Sequence, residues 1–98
     1  MKWQYETGRI YSVDEKNELM AETTFIFIEK NQVDINHTFV NPVLRGQGVA
    51  SIMLEIFAKY LREQGLKAVA SCPYAKSWLQ KNKETYSDII SNDFDKAD

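Results

Sequence analysis

The chain has 98 residues, a formal net charge of -2, 44% hydrophobic and 27% charged residues. That is the balance of an ordinary globular protein, and it leads us to expect a single domain over residues 1–98. A mildly acidic chain lacks the basic footprint that neutralises phosphates on nucleic acid, and it lacks a polybasic patch for a membrane surface.

Cys72 is the single cysteine, so no internal disulfide can form and a disulfide-built secreted scaffold is excluded. The first six residues hold no apolar run of the kind that opens a signal peptide. No segment approaches the ~20 apolar residues of a membrane span. One histidine and one cysteine are too few for a typical zinc site. The expectation is a cytoplasmic protein without a resident metal, a monomer or weak dimer.

In chain order, Arg9–Val13 is a short strand candidate closed by the turn-forming run Asp14-Glu15-Lys16-Asn17. Residues 19–28 are rich in β-branched and aromatic types. Alternation sets Leu19, Ala21, Thr23, Phe25 and Phe27 on one face, and Met20, Glu22, Thr24, Ile26 and Ile28 on the other. After the polar turn at 29–32, residues 33–40 alternate again. Val33, Ile35, His37 and Phe39 fall on one side, opposite Asp34, Asn36, Thr38 and Val40. These strands, joined by short connections, predict an antiparallel meander. Asp34 and Glu22 read as solvated outer-face residues.

Asn41-Pro42 ends the third strand, since proline cannot donate to a ladder. The period then changes. Val49, Ile52, Met53, Ile56, Phe57, Tyr60 and Leu61 form one apolar face of a long helix. Gly65 stands where a helix-ending glycine belongs. Residues 66–71 follow as a short buried strand, and strand–helix–strand order predicts a right-handed crossover between parallel strands. Pro73 suits the first turn of a second helix, on which Tyr74, Trp78 and Leu79 form an apolar side. Trp78 and the Phe57-Tyr60 stripe read as core. Tyr86, Ile89 and Ile90 keep helical spacing, and the last few residues of the acidic tail are expected to be disordered.

The run Leu44-Arg45-Gly46-Gln47-Gly48-Val49-Ala50 lies between a strand and the long helix. Glycines there permit close approach of a ligand, and a helix start offers unpaired N–H groups and the positive end of the helix dipole. Together they suit a phosphate. A Walker-type loop needs Gly-Lys-Ser/Thr, whereas Val49-Ala50 follows Gly48. A dinucleotide fingerprint needs a third glycine or alanine where Ser51 stands, and an acid at the end of the next strand, which here ends in Ser71-Cys72. A third phosphate ligand to weigh is coenzyme A, and against all three stands a glycine turn that serves only helix–strand packing.

Arg45, Gly48 and Ala50 fill the places of the cofactor motif of the GNAT acetyltransferase superfamily. With His37-Thr38, Asn41-Pro42 and Ser71-Cys72-Pro73-Tyr74 followed by Trp78-Leu79, the chain resembles the small, minimal branch of that superfamily over about residues 10–86. The resemblance implies an α+β fold of the α/β three-layer type: an antiparallel meander, a parallel β-α-β crossover and a C-terminal helix. It implies acetyl-CoA as cofactor, with the pyrophosphate on the backbone from Gln47 to Ala50. The pantetheine arm would lie along Phe39 and Val40. The implied cofactor set is Phe39, Val40, Arg45, Gly46, Gln47, Gly48, Val49, Ala50 and Ser51. Asp14-Asn17 leaves no room for the helical pair that most members carry between their first strands, and Lys81-Asn82-Lys83-Glu84 departs from the His-Pro step of the branch.

Three residues are candidates for chemistry. His37 is either the base that takes the acceptor's proton or a hydrogen-bonded structural residue. Cys72 ends the second parallel strand before a helix start, a place that favours the thiolate. It is either a nucleophile or acid near the thioester, or an inert buried residue. Tyr74 has the thiolate-protonating role implied by the resemblance, or it packs. Three functions follow: an N-acetyltransferase with an amine acceptor, a CoA-binding module with little or no transfer, or an interaction domain using an exposed sheet face.

Overall fold

The computed structural model of the protein describes residues 1–94. Five strands form one mixed sheet in the order β1 (Gln4–Glu6), β2 (Arg9–Val13), β3 (Leu19–Glu29), β4 (Gln32–Val40) and β5 (Lys67–Ala70). The first four pair antiparallel and β4 pairs parallel with β5. Helix α1 (Val49–Gln64) makes the crossover; α2 (Pro73–Lys81), α3 (Lys83–Tyr86) and a 3₁₀ turn at Ser87–Ile89 follow. The expected α+β class, meander and parallel crossover are all present. Among the described residues no helix is long and apolar enough to cross a membrane.

The strand missing from the sequence reading is β1. Its residues are all exposed and show no alternation, so nothing in the pattern marks them. The Thr7-Gly8 turn makes it. Gly8 has φ +77°, and an added Cβ would stand 2.9 Å from the Phe25 carbonyl oxygen, so only glycine fits there. The β2–β3 turn is held by Asp14, whose Oδ1 accepts the N–H groups of Lys16 and Glu18.

Helix α1 ends as expected at Gly65, with φ +69°. The Leu66 N–H reaches Leu61 O and the Gly65 N–H reaches Arg62 O, the double bond of a Schellman end. The buried arc of α1 is not the one the periodicity gave. Val49, Met53, Phe57 and Leu61 are buried as expected, but Ile52 is 47% exposed, while Leu54 and Ala58 are buried. The reason is a second neighbour. Trp78 and Leu79 of α2 and Ile89 pack on the Leu54–Ala58–Leu61 flank, together with Ile35 of β4. Full burial of each such side chain stabilises the fold by roughly 1.5–3 kcal/mol.

The tail also belongs to the core. Ile90 bridges to Ala68 in parallel sense, and Phe94 is 2% exposed. The disorder expected at the end of the chain concerns residues 95–98, which lie outside the described residues.

Candidate functional site

Past Ile35 the parallel strands part. The β4–β5 ladder ends at Ile35 opposite Ala70. Ser71 and Cys72 then donate successive N–H groups to the one carbonyl oxygen of Ile35, at 3.1 and 3.0 Å, and the chain turns into α2. Along residues 36–40, β4 keeps β3 on one side only. A strand edge of this kind offers its N–H and C=O groups to an extended ligand.

At the same point β4 carries a bulge. Thr24 pairs with His37 and Phe25 pairs with Ile35, so Asn36 is the extra residue. One extra residue reverses the alternation. Thr38 and Val40 therefore join the helix side, opposite Thr23 and Ala21, and His37 turns to the open face. This corrects the expectation that His37 shares a face with Val33 and Ile35. Its ring is 52% exposed, with Nε2 3.7 Å from a Glu22 carboxylate oxygen. The buried Thr23 hydroxyl donates to the His37 carbonyl at 3.1 Å.

Two acids expected in solvent are engaged. Glu22 is 16% exposed and pairs with Arg9, whose guanidinium is held above its ordinary pKa chiefly by that hydrogen bond. Tyr11 covers Arg9 at 3.7 Å from ring centroid to guanidinium carbon. Asp34 accepts the Ser71 N–H and the Ser71 hydroxyl, both at 2.7 Å.

The loop after β4 is pinned by Asn41. Its backbone N–H donates to Met20 O at 2.8 Å, its side-chain amide donates to Leu19 O at 3.1 Å, and its Oδ1 accepts from Val43 N at 3.1 Å. A 3₁₀ turn at Pro42–Leu44 leads into the glycines, where Gly46 and Gly48 have φ of +82° and +74°. No side chain caps α1, and its first backbone bond is donated by Ile52 to Gly48 O. The N–H groups of Val49, Ala50 and Ser51 thus point forward from the helix start. A Cβ at Gly46 or Gly48 would meet nothing within 4 Å, so the space over the loop is open. An anion fits this place by charge and by room.

Thr38, Phe39, Val40, Arg45, Ala50 and Tyr74 line one groove of about 290 Å³. It joins the open edge of β4, the loop and the first turn of α2. Cys72 lies behind Thr38, 8% exposed, with Sγ 3.3 Å from Thr38 Oγ1. Ser51 faces α2, where its hydroxyl accepts the Trp78 indole N–H at 2.9 Å. Trp78 is core, as read from the sequence, and stacks on Tyr86 at 5.1 Å between centroids. The groove thus gathers Phe39, Val40, Arg45, Ala50 and Tyr74, with Cys72 behind Thr38, and leaves His37 on the other face of the sheet.

A mixed sheet with a parted parallel pair and a glycine loop opening the crossover helix defines a known class. The solution NMR structure of a GCN5-like protein from Staphylococcus aureus superposes with a TM-score of 0.77 at 34% identity, covering 92% of this chain and 87% of that one. Tetrahymena GCN5 shares the fold at a TM-score of 0.62 and 10% identity, over 74% of this chain and 48% of that one. The ribosomal-protein-S18-alanine N-acetyltransferase of Escherichia coli does so at 0.60 and 15%, over 80% and 53%.

Residues 9–89 match the family model for GCN5-related N-acetyltransferases, and the chain belongs to that family. Among curated relatives, protein NATD1 of Xenopus tropicalis is 30% identical over 62 residues, which is 63% of this chain and 57% of that protein's length. The match thus spans little more than half of the curated relative.

Proposed function

We propose that this chain is an acetyl-CoA-dependent N-acetyltransferase acting on an amine acceptor in the cytoplasm. The observation that carries the reading is the groove lined by Thr38, Phe39, Val40, Arg45, Ala50 and Tyr74, which joins the open edge of β4 to the start of α1 and the first turn of α2. The N–H groups of Gly48, Val49, Ala50 and Ser51 hold the pyrophosphate, with Gly46 and Gln47 shaping the cradle. Arg45 adds a positive charge at its rim. The backbone of Phe39 and Val40 pairs with the pantetheine arm as an added strand would.

Bound acetyl-CoA supplies an activated acyl carbon, whose bond to sulfur breaks as a bond to the acceptor nitrogen forms. The proton lost by the nitrogen is matched by one gained by the leaving sulfur. Tyr74, on the groove wall, gives that proton, and Cys72 is the second candidate for the task. The Thr38 hydroxyl holds Cys72 in place. His37 acts as base only for an acceptor that arrives from the open face; otherwise it serves Glu22 as a structural partner.

A second reading is a CoA-binding module with little transfer. The short turn at residues 14–17 favours it, because no helical pair stands there to wall an acceptor pocket.

The test is a titration of acetyl-CoA and of CoA into isotope-labelled protein, followed by amide shifts. Val40 and residues 46–51 should move with both ligands. Ser71, Cys72 and Tyr74 should distinguish the acetylated from the free thiol. No response at residues 46–51 at millimolar ligand would end both readings. Binding without thiol release in the presence of varied amines would select the module.

A further inference from the structure

Where the parallel strands part, Asp34 and Ser71 are in contact. Asp34 stands opposite Val69 in the β4–β5 ladder. Its two carboxylate oxygens take the Ser71 N–H and the Ser71 hydroxyl, each at 2.7 Å. Charge-assisted bonds made in this two-point manner fix orientation as well as distance. On the groove side, the next residue contacts Thr38, with Cys72 Sγ 3.3 Å from Thr38 Oγ1. Between these two contacts lie the doubly accepting Ile35 carbonyl and the Asn36 bulge.

We infer that Asp34 is a positioning residue: its two-point hold on Ser71 fixes the turn that carries Cys72 and Tyr74 to the groove. The inference rests on the acetyl-CoA reading above. The physical argument is one of orientation. β4 runs on for five residues beyond Ile35, but β5 cannot follow it, because Pro73 has no N–H to give the ladder and the chain must turn before it. Asp34 fixes how it turns: it takes the Ser71 hydroxyl and shares the Ser71 N–H with the Ile35 carbonyl. The edge of residues 36–40 then stays open, and Cys72 enters α2 as its N-cap residue. Without that hold, Cys72 and Tyr74 lose their fixed place while the glycine loop, pinned separately by Asn41, keeps its own.

The two ends of the groove therefore respond differently to one substitution. The probes are acetyl-CoA, which spans the groove, and 3′-phosphoadenosine 5′-diphosphate, which reaches only the glycine loop. In Asp34→Ala, acetyl-CoA affinity should fall about tenfold and the nucleotide's stay within about twofold. Asp34→Asn, which keeps an oxygen for the Ser71 N–H, should recover most of the loss. Ser71→Ala, which removes only the hydroxyl contact, should fall between. Unchanged acetyl-CoA affinity in Asp34→Ala overturns the inference, as does an equal loss of both ligands, which would mean a global effect on the fold. Wild-type protein that binds neither ligand overturns the acetyl-CoA reading itself, and this inference with it.

Discussion

Trp78 donates its indole N–H to the hydroxyl of Ser51 across 2.9 Å, tying α2 to the first turn of α1. The two helices carry the two walls of the groove, Tyr74 on one and Ala50 on the other. Ser51→Ala leaves Trp78 in the core and removes this one bond. It should lower stability by about 1 kcal/mol, read from the urea midpoint at unchanged slope. A midpoint equal to wild type would mean that packing alone joins the helices.

The glycines separate by surroundings. Gly8 and Gly65 both have positive φ, but only Gly8 has a backbone oxygen within reach of an added Cβ. Gly65→Ala should cost about 1 kcal/mol for left-handed backbone alone. Gly8→Ala adds a clash with the Phe25 carbonyl and should cost about 2 kcal/mol or more. Equal thermal midpoints for the two variants would refute the distinction.

Phe57 is 1% exposed and its ring centroid lies 4.8 Å from that of Phe25. Phe57→Ala should cost about 3–5 kcal/mol through lost burial and a cavity. That is a large part of the roughly 5–15 kcal/mol of a domain, so the variant should show a strongly lowered melting temperature by circular dichroism.

Arg62 and Asp88 tie the last turn of α1 to the 3₁₀ turn at Ser87–Ile89, one contact of the pair being 2.9 Å long. The bond from Arg62 holds the Asp88 carboxyl below its ordinary pKa. A pKa depressed by folding means stability that is complete above the unfolded value and lost as pH falls through the folded one. Acidification below the ordinary carboxylate range should therefore destabilise the protein, and Asp88→Asn should flatten that part of the profile. Both side chains are about half exposed, so the effect should shrink in high salt. Identical acid profiles for variant and wild type would remove the pair from the account.

Cys72 is buried against Thr38, a residue of the proposed groove. A water-soluble disulfide reagent should modify it slowly in the free protein and more slowly still with acetyl-CoA present. Cys72→Ser should keep a partner for Thr38 and bind acetyl-CoA as wild type does. Modification at the same rate with and without acetyl-CoA would place the thiol outside the groove.

The residues themselves determined much of this protein. Helix α1, its start after Gly48 and its end at Gly65 follow from a period of about 3.6 residues and two glycines. The strand at Arg9–Val13, the parallel crossover and the turn into α2 at Pro73 follow from equally local chemistry. The groove residues Phe39, Val40, Arg45 and Ala50 could be named because they sit within a dozen positions of one another around a recognisable loop. Only the tertiary structure decided the rest. His37 changed faces because one extra residue in β4 reverses every later side chain, and alternation read along the chain does not reveal which residue is extra. Leu54 and Ala58 entered the core because α2 docks there, and Asp34 gained a partner because Ser71 meets it from 37 positions away. Local periods record how a segment coils. Which side of it meets another segment is fixed only when the two are brought together, because those contacts are made between residues far apart in the chain.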